Sequence, residues 1–216
     1  MPDYQIKFET ITVDQVDYEI RSLKDRQQFH DAGQLAAAVG ISSATWPLFG
    51  VLWPSSRVLA ARVSRLMLGD KRVLEIGCGL ALSSLVLHRM GVNITASDYH
   101  PLAGDFLNAN VLGNDLPAIK YQEGNWETEN PLLGLFDVII GSDVLYEPAM
   151  AETVARFIDR HSSNKVEVMI VDPNRGNRNR FTRHMTDLSY FHHFERFHVE
   201  TPEAARCKGR ILHYRR

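Results

Sequence analysis

An α/β fold with a doubly wound, mainly parallel sheet of seven strands is predicted for this chain of 216 residues. From residue 71 onward, short apolar runs alternate with helix-like segments, which is typical of right-handed β-α-β crossovers. A glycine pair follows the first of these runs, at the position where such sheets bind ligands. The tail carries two β-rich runs that suit an antiparallel hairpin at the sheet edge. These three observations define the expected Rossmann-like architecture.

The N-terminal section, residues 1–48, is predicted to be an extension made of a β-hairpin and a short helical segment. Two β-rich runs flank Asp14 and Gln15, which indicates the hairpin turn. Farther along, two prolines interrupt an apolar stretch, and the serines at 55 and 56 predict a capped helix over 57–68. Residues 49–216 form the predicted core, and the length suits one domain over 1–216.

The elements of the core follow from the alternation of apolar and polar stretches. Helices are predicted at 82–90, 102–112 and 149–161. Strands are predicted at 72–76, 93–97, 119–123, 136–142 and 166–171, with the tail strands at 190–199 and 210–214.

The composition excludes several classes of function. A formal net charge of −2 does not favour a nucleic acid or an anionic membrane as partner. No apolar run is long enough to cross a bilayer, and the N-terminus lacks the pattern of a signal peptide. Cys78 and Cys207 form neither a metal motif nor a disulfide framework. We therefore expect a cytoplasmic protein without a metal site.

The stretch from Arg72 to Asp98 predicts a site for an adenosine-containing cofactor. Gly77 and Gly79 allow a sharp turn and close approach of a ligand after the first core strand. Asp98 ends the second strand, where a carboxylate can accept both hydroxyl protons of a ribose.

Other interpretations of the glycine turn remain open at this point. It could be a turn that binds no ligand. A dinucleotide site is disfavoured, because Leu82 stands where the fingerprint needs a third glycine. A Walker A loop is absent, because no Gly-Lys-Ser/Thr follows. Glu75 adds a second acidic group, which suits a sulfonium cation better than a pyrophosphate.

The motifs LEIGCGLA and ITASDYHP resemble motif I and its acidic partner in class I, seven-strand methyltransferases that use S-adenosylmethionine. Three further stretches, FGVLWP, GNWE and GSDVLYEP, resemble the family 16 protein-lysine methyltransferases. The resemblance extends over residues 49–183, and the flanking parts carry no matching motif. It implies S-adenosylmethionine as cofactor, S-adenosylhomocysteine as product and a protein as methyl acceptor.

The resemblance also implies which residues contact the cofactor. Asp98 is the expected ribose ligand, and Trp126 is expected to pack against adenine. Trp53 is preferred over Trp46 as the residue that covers the cofactor. Glu75 either contacts the cofactor amino group through water or caps a backbone amide. The full predicted cofactor set is Trp53, Glu75, Gly77, Cys78, Gly79, Asp98, Tyr99, Trp126 and Ser142.

Asp143 and Tyr146 of the GSDVLYEP motif are the predicted catalytic pair. An amine must lose its proton before it attacks a methyl group, and a nearby carboxylate raises its pKa. Asp143 therefore suits an anchor that orients the amine better than a strong base. Tyr146 offers an aromatic wall for an ammonium group and a hydroxyl acceptor.

Arg175, Arg178, Arg180 and Arg183 form a basic group after the fifth core strand. It could recognise an acidic protein surface or a phosphate, although a solvated loop is the slightly favoured interpretation.

The favoured interpretation of the whole protein is a lysine methyltransferase. A small-molecule N-methyltransferase and a non-catalytic methyltransferase-like binding protein remain alternatives, because one fold serves many functions.

Overall fold

The structure is a computed structural model that describes residues 4–201 and 204–216. Its helices are α1 (Leu35–Ala38), a 3₁₀ helix (Trp46–Gly50), α2 (Pro54–Val63), α3 (Leu82–Arg89), α4 (Ala103–Gly113), α5 (Met150–Arg160) and α6 (Arg178–Asp187). Its strands are β1 (Ile6–Val13), β2 (Val16–Leu23), β3 (Arg72–Ile76), β4 (Asn93–Asp98), β5 (Lys120–Glu123), β6 (Phe136–Ser142), β7 (Ser162–Asp172), β8 (Phe191–Thr201) and β9 (Ala204–Arg215).

The main sheet has seven strands in the order β5-β4-β3-β6-β7-β9-β8. The five strands from β3 to β7 run parallel, and β9 and β8 add an antiparallel hairpin at one edge. The strand order reverses between β4 and β6 on either side of β3, which places the ligand cleft beyond the carboxyl ends of these strands. The predicted fold class is confirmed.

Helices cover both faces of the sheet, so alternate residues of each central strand enter two different cores. In β3, Val73 packs with α2, α3 and α4, whereas Leu74 packs with α5 and α6. Met169 and Ile170 of β7 divide between the two cores in the same way. Burial on both faces explains why these strands are nearly continuous apolar runs.

The N-terminal hairpin docks on the helix α4 through side-chain amides. Both turn residues, Asp14 and Gln15, have positive φ angles, as a two-residue hairpin turn requires. Asn114 Oδ1 accepts the Glu19 N–H at 3.0 Å, and its Nδ2 donates to the Glu19 carbonyl at 2.7 Å. These bonds satisfy backbone groups of β2 that no strand pairs.

Among the described residues, no helix has both the length and the apolar character to cross a bilayer.

Two predicted elements need correction. The helix predicted at 57–68 is α2, which begins at Pro54 and ends at Val63, with Trp53 rather than a serine at the N-cap position. Proline is favoured at the first helical position because it has no N–H to satisfy. The segment interpreted as a basic loop is a helix, α6, from Arg178 onward. Only Phe181 and Met185 of α6 are buried and its other eight residues are polar, so the segment has too few apolar residues to be recognised as a helix.

Candidate functional site

The turn between β3 and α3 has a backbone conformation that needs glycine. Gly77 and Gly79 have φ angles of +58° and +52°. A Cβ atom on Gly79 would lie 2.8 Å from the Phe49 carbonyl oxygen, and one on Gly77 would lie 3.0 Å from Val144 Cγ1. Real Cβ atoms essentially never approach a backbone atom as closely as the first of these distances. The two glycines therefore hold the turn tightly against the 3₁₀ helix and the loop after β6.

Glu75 caps the helix that follows this turn. It is 3% exposed, and its Oε2 accepts the backbone N–H of Ser84 at 2.9 Å together with the Ser84 hydroxyl. Burial raises the pKa of Glu75 to about 7, although the bonds from Ser84 act in the opposite direction. Of the two roles considered for Glu75, the structure shows the capping of a backbone amide.

Asp98 ties the end of β4 to the glycine turn. Its Oδ2 accepts the Gly79 N–H at 2.7 Å, and its Oδ1 accepts the His100 N–H at 2.9 Å. Burial raises the pKa of the Asp98 carboxyl, and the bonds from the backbone lower it. Each carboxylate oxygen has a second lone pair, so two acceptor positions remain for a pair of ribose hydroxyls.

Trp126 lies against the glycine turn at Gly77, whereas Phe49 contacts it at Gly79. A Cβ atom on Gly77 would lie 3.3 Å from Trp126 Cζ2. Trp126 Nε1 is buried and has no hydrogen-bond partner among the described residues. Half-buried Tyr99 follows Asp98, and burial with the charges of Glu127 and Glu123 raises the pKa of its phenol. An aromatic plane and an unsatisfied N–H beside the turn fit a purine-containing ligand.

The two candidate covering tryptophans have different environments. Trp46 is 1% exposed and forms edge contacts with Phe49 and His100, so it belongs to the core. Trp53 is half-buried at the start of α2, and its Nε1 donates to the Leu48 carbonyl at 2.9 Å. Trp53 is thus the more accessible of the two, and its role as the residue that covers the cofactor stays a prediction.

Cys78 lies inside the turn and is 7% exposed. Its N–H donates to the Ser97 carbonyl at 3.0 Å, and its carbonyl accepts the Ala81 N–H at 2.7 Å. Burial and the charges of Asp98 and Glu75 hold the pKa of the thiol well above its usual range. The side chain is therefore a small neutral filler of the turn.

Asp143 combines a left-handed backbone conformation with a bidentate ion pair to Arg175. Its φ angle is +56°, in the left-handed region that favours glycine, and its N–H donates to the Val171 carbonyl at 2.9 Å. Arg175 donates from Nε to Oδ1 at 2.9 Å and from Nη2 to Oδ2 at 2.7 Å. The Asp143 side chain is 10% exposed, whereas that of Arg175 is 42% exposed. Ser142, which precedes this residue, ends β6.

The Arg175 guanidinium also lies above the Trp53 ring, 5.8 Å from its centroid. Arg26 lies closer to the same ring, at 4.5 Å. Arg175 therefore links Trp53, on the N-terminal side of the cleft, to Asp143 at the end of β6. Sequence reasoning missed this role, because the Asp-Pro-Asn-Arg segment was interpreted as part of a solvated loop.

Tyr146 faces the same region and is 43% exposed. Partial burial, together with the charges of Glu147, Asp98 and Asp143, raises the pKa of its phenol to about 12. Asp98 ends β4, and Asp143 and Tyr146 follow β6, so the predicted ribose ligand and the predicted catalytic pair lie at the same carboxyl edge of the sheet.

Three side chains of metal-ligand type meet elsewhere, on the β8–β9 hairpin. Potential ligand atoms of His193, Glu195 and His213 lie within 4.8 Å of one another. Glu195 already pairs with Arg62, and the two imidazole rings stack in parallel with centroids 4.4 Å apart. Parallel rings do not direct their lone pairs at one point between them. The expected absence of a metal site stays a prediction.

Comparison with known families identifies the chain. The methyltransferase family 16 model, described as lysine methyltransferase, matches residues 47–197. The chain therefore belongs to this family, as the sequence motifs predicted. The prediction of S-adenosylmethionine as cofactor is confirmed with it, and the glycine turn, Asp98 and Trp126 are the residues that fit this group.

Individual relatives are protein methyltransferases with different acceptors. The protein-lysine methyltransferase METTL21E of Bos taurus is 33% identical over 144 residues, 60% of this chain and 48% of that protein. The protein N-lysine methyltransferase METTL21A of Danio rerio is 30% identical over 59% of this chain and 63% of that protein. The histone-arginine methyltransferase METTL23 of Xenopus laevis is 34% identical over 48% of this chain and 47% of that protein. The chain thus spans about half the length of the curated relatives it matches.

Solved structures share the fold at low sequence identity. A methyltransferase from Pyrococcus furiosus has a TM-score of 0.61 and 18% identity, over 74% of this chain and 81% of that one. The magnesium protoporphyrin IX methyltransferase of Synechocystis PCC 6803, solved with bound S-adenosylmethionine, has a TM-score of 0.56 and 17% identity, over 75% of this chain and 77% of that one. These identities support the fold alone.

Proposed function

Since the chain belongs to methyltransferase family 16, we propose that it is an S-adenosylmethionine-dependent N-methyltransferase acting on a lysine side chain of a protein. One observation carries the proposal: Asp143 and Tyr146 follow β6 and the predicted ribose ligand Asp98 ends β4, so all three lie at the carboxyl end of the central strands. The two lysine methyltransferases among the relatives support the choice of acceptor.

We distinguish two parts of the cleft. The cofactor side is formed by Gly77, Gly79 and Asp98, and the acceptor side by Asp143, Tyr146 and Arg175. Bound S-adenosylmethionine would supply a methyl group attached to a sulfonium sulfur. When the methyl group is transferred, that sulfur becomes a neutral thioether, which is the leaving group. Positioning of the acceptor nitrogen against that methyl group then supplies most of the rate.

On the acceptor side, the side chains bind and orient the acceptor amine. The Asp143 carboxylate attracts the ammonium form and accepts a hydrogen bond from the neutral amine. Because the pKa of Tyr146 is about 12, its phenol stays protonated at neutral pH, and its oxygen can accept a hydrogen bond while its ring borders the methyl groups. A lysine amine has a reference pKa of about 10.4, so the rate should rise with pH until the bound amine is deprotonated.

A cationic acceptor must compete with Arg175 for the Asp143 carboxylate. Both Asp143 oxygens are engaged by its guanidinium, so an incoming ammonium must displace at least one of these bonds. Trp53 lies within cation–π range of the same guanidinium and offers it an alternative position. We therefore include exchange of Arg175 between Asp143 and the Trp53 ring in the proposed binding step.

A second candidate is a protein-arginine acceptor, because Asp143 already holds a guanidinium in bidentate geometry. A substrate arginine could take the place of Arg175 with the same two hydrogen bonds. The relative named as a histone-arginine methyltransferase supports this alternative.

A cytoplasmic location remains part of the proposal and is supported by two cysteines that form no disulfide.

The test is transfer of radiolabel from S-adenosylmethionine into proteins of a lysate, with Asp143→Asn as control. We expect a labelled band that the control lacks, and hydrolysis of that band should yield methyllysine. Methylarginine would favour the second candidate. Label found only in small molecules would contradict both protein acceptors. No label anywhere, with cofactor binding intact in calorimetry, would support a non-catalytic binding protein.

A further inference from the structure

A basic groove opens on the β8–β9 hairpin. It measures about 330 Å³, and its basic lining residues form two facing pairs, Arg196 with Arg210 and His198 with Lys208. Residues two apart on a strand share a face with their cross-strand partners, so these four side chains project from one side of the hairpin. No carboxylate stands among the described residues that line this groove.

Three of the four basic side chains of the groove lack an ion-pair partner among the described residues. These three are Arg196, Lys208 and Arg210. Asp172, the β7 neighbour of Arg210, is 1% exposed and directs Oδ1 toward the Arg175 N–H. Like charges opposite each other destabilise a hairpin. A bound anionic partner would offset that repulsion.

The groove is directly connected to the acceptor side of the cleft. In the loop after β7, Asn174 Nδ2 donates to the Lys208 carbonyl at 3.4 Å. The next residue, Arg175, holds Asp143. The groove is therefore lined by Asn174, the sequence neighbour of the residue that pairs with Asp143.

We propose that this groove binds an acidic segment of the protein substrate, close in sequence to the methylated side chain. The inference rests on the proposed function and adds the substrate class. β8 is the last strand of the sheet, so one of its edges pairs with no other strand. An extended peptide can pair with such an edge along its whole backbone while its acidic side chains contact the basic residues, and this combination favours a peptide as the occupant.

Binding of labelled peptides tests the proposal without any methyl transfer. One fluorescein-labelled peptide carries a single lysine followed by four glutamates, and a matched peptide carries four glutamines. A single-stranded RNA of equal net charge is the third probe. Anisotropy titrations use the full chain saturated with S-adenosylhomocysteine, the Arg196→Gln/Lys208→Gln variant, and the control Arg65→Gln/Lys165→Gln. The control removes the same charge from exposed positions outside the groove.

We expect the glutamate peptide to bind the natural chain and the control about tenfold more tightly than the glutamine peptide. The groove variant should lose this preference, and raising the salt from about 50 to about 200 mM should reduce it. Equal binding of both peptides by the natural chain would overturn the proposal. RNA binding that is tighter than peptide binding and depends on Arg196 and Lys208 would assign the groove to nucleic acid. Calorimetry of the cofactor and methylation assays report separately on the proposed function.

Discussion

The cofactor side of the cleft is held by buried hydrogen bonds to backbone groups, whereas the acceptor side is held by one partly exposed ion pair. Asp98 is 8% exposed and accepts two backbone N–H groups, while Arg175, which holds Asp143, is 42% exposed. A buried network is rigid and costly to break. An exposed pair contributes little to stability and can exchange partners. The difference suggests a fixed site for a constant ligand beside an adaptable one for the acceptor.

Gly79→Ala on the cofactor side should cause the largest loss of stability. The new Cβ would meet the Phe49 carbonyl oxygen at 2.8 Å, and the φ angle is +52°. Steric overlap and left-handed strain together should lower the free energy of unfolding by about 4 kcal/mol. Urea denaturation measures this loss. Gly69→Ala is the matched control, because Gly69 has a φ of +54° with open space around it, and it should lose only about 1 kcal/mol. Similar losses in both variants would show that the contact with Phe49 is unimportant.

Asp143→Asn should impair the acceptor side of the cleft and leave the cofactor side unaffected. Asparagine keeps the shape of the side chain but removes the charge that attracts and orients the acceptor. We expect kcat to fall about 100-fold or more, with cofactor affinity unchanged. Single-turnover kinetics and calorimetry check the two quantities. A parallel loss of cofactor affinity would place Asp143 on the cofactor side.

The free energy of unfolding should depend on pH through the buried carboxyl group of Glu75, which caps the helix after the glycine turn. Its pKa is about 7 in the folded chain and about 4.3 in an unfolded one, so the folded state binds the proton more tightly. The resulting stabilisation is complete below the unfolded pKa and is lost as pH rises toward 7, by up to about 3 kcal/mol. Glu75→Gln should flatten this dependence in denaturation curves recorded between about pH 4.5 and 8. An unchanged slope in the variant would mean that another group is responsible.

Asp98→Ala should weaken cofactor binding by about 2 kcal/mol, the usual cost of losing a charged hydrogen-bond partner. Calorimetric titration with S-adenosylmethionine gives this value directly. Asp143→Asn serves again as the comparison, since it removes a carboxylate from the acceptor side and should leave this affinity intact. Unchanged affinity in Asp98→Ala would remove Asp98 from the cofactor site.

The same contrast explains what the sequence could predict. Gly77, Gly79 and Asp98 belong to a contiguous β-α-β unit, whose geometry follows from local patterns that parallel sheets share. The sheet and its edge hairpin were predictable for the same reason. The partner of Asp143 was not, because Arg175 is distant in sequence and its pairing depends on how two loops meet. The helix α6 also escaped prediction, since it buries only Phe181 and Met185.

Arg175→Gln should produce the smallest change in stability and a specific change in acceptor binding. The pair with Asp143 is partly solvent-screened, so the free energy of unfolding should fall by less than about 1 kcal/mol. Without the competing guanidinium, the KM for a lysine peptide should decrease several-fold. Arg72→Gln is the matched control, because Arg72 forms a similarly exposed pair with Asp137 at the opposite end of the strands. It should cost comparable stability and leave KM unchanged. A raised KM in Arg175→Gln alone would instead show that Arg175 holds Asp143 in the orientation that the acceptor needs.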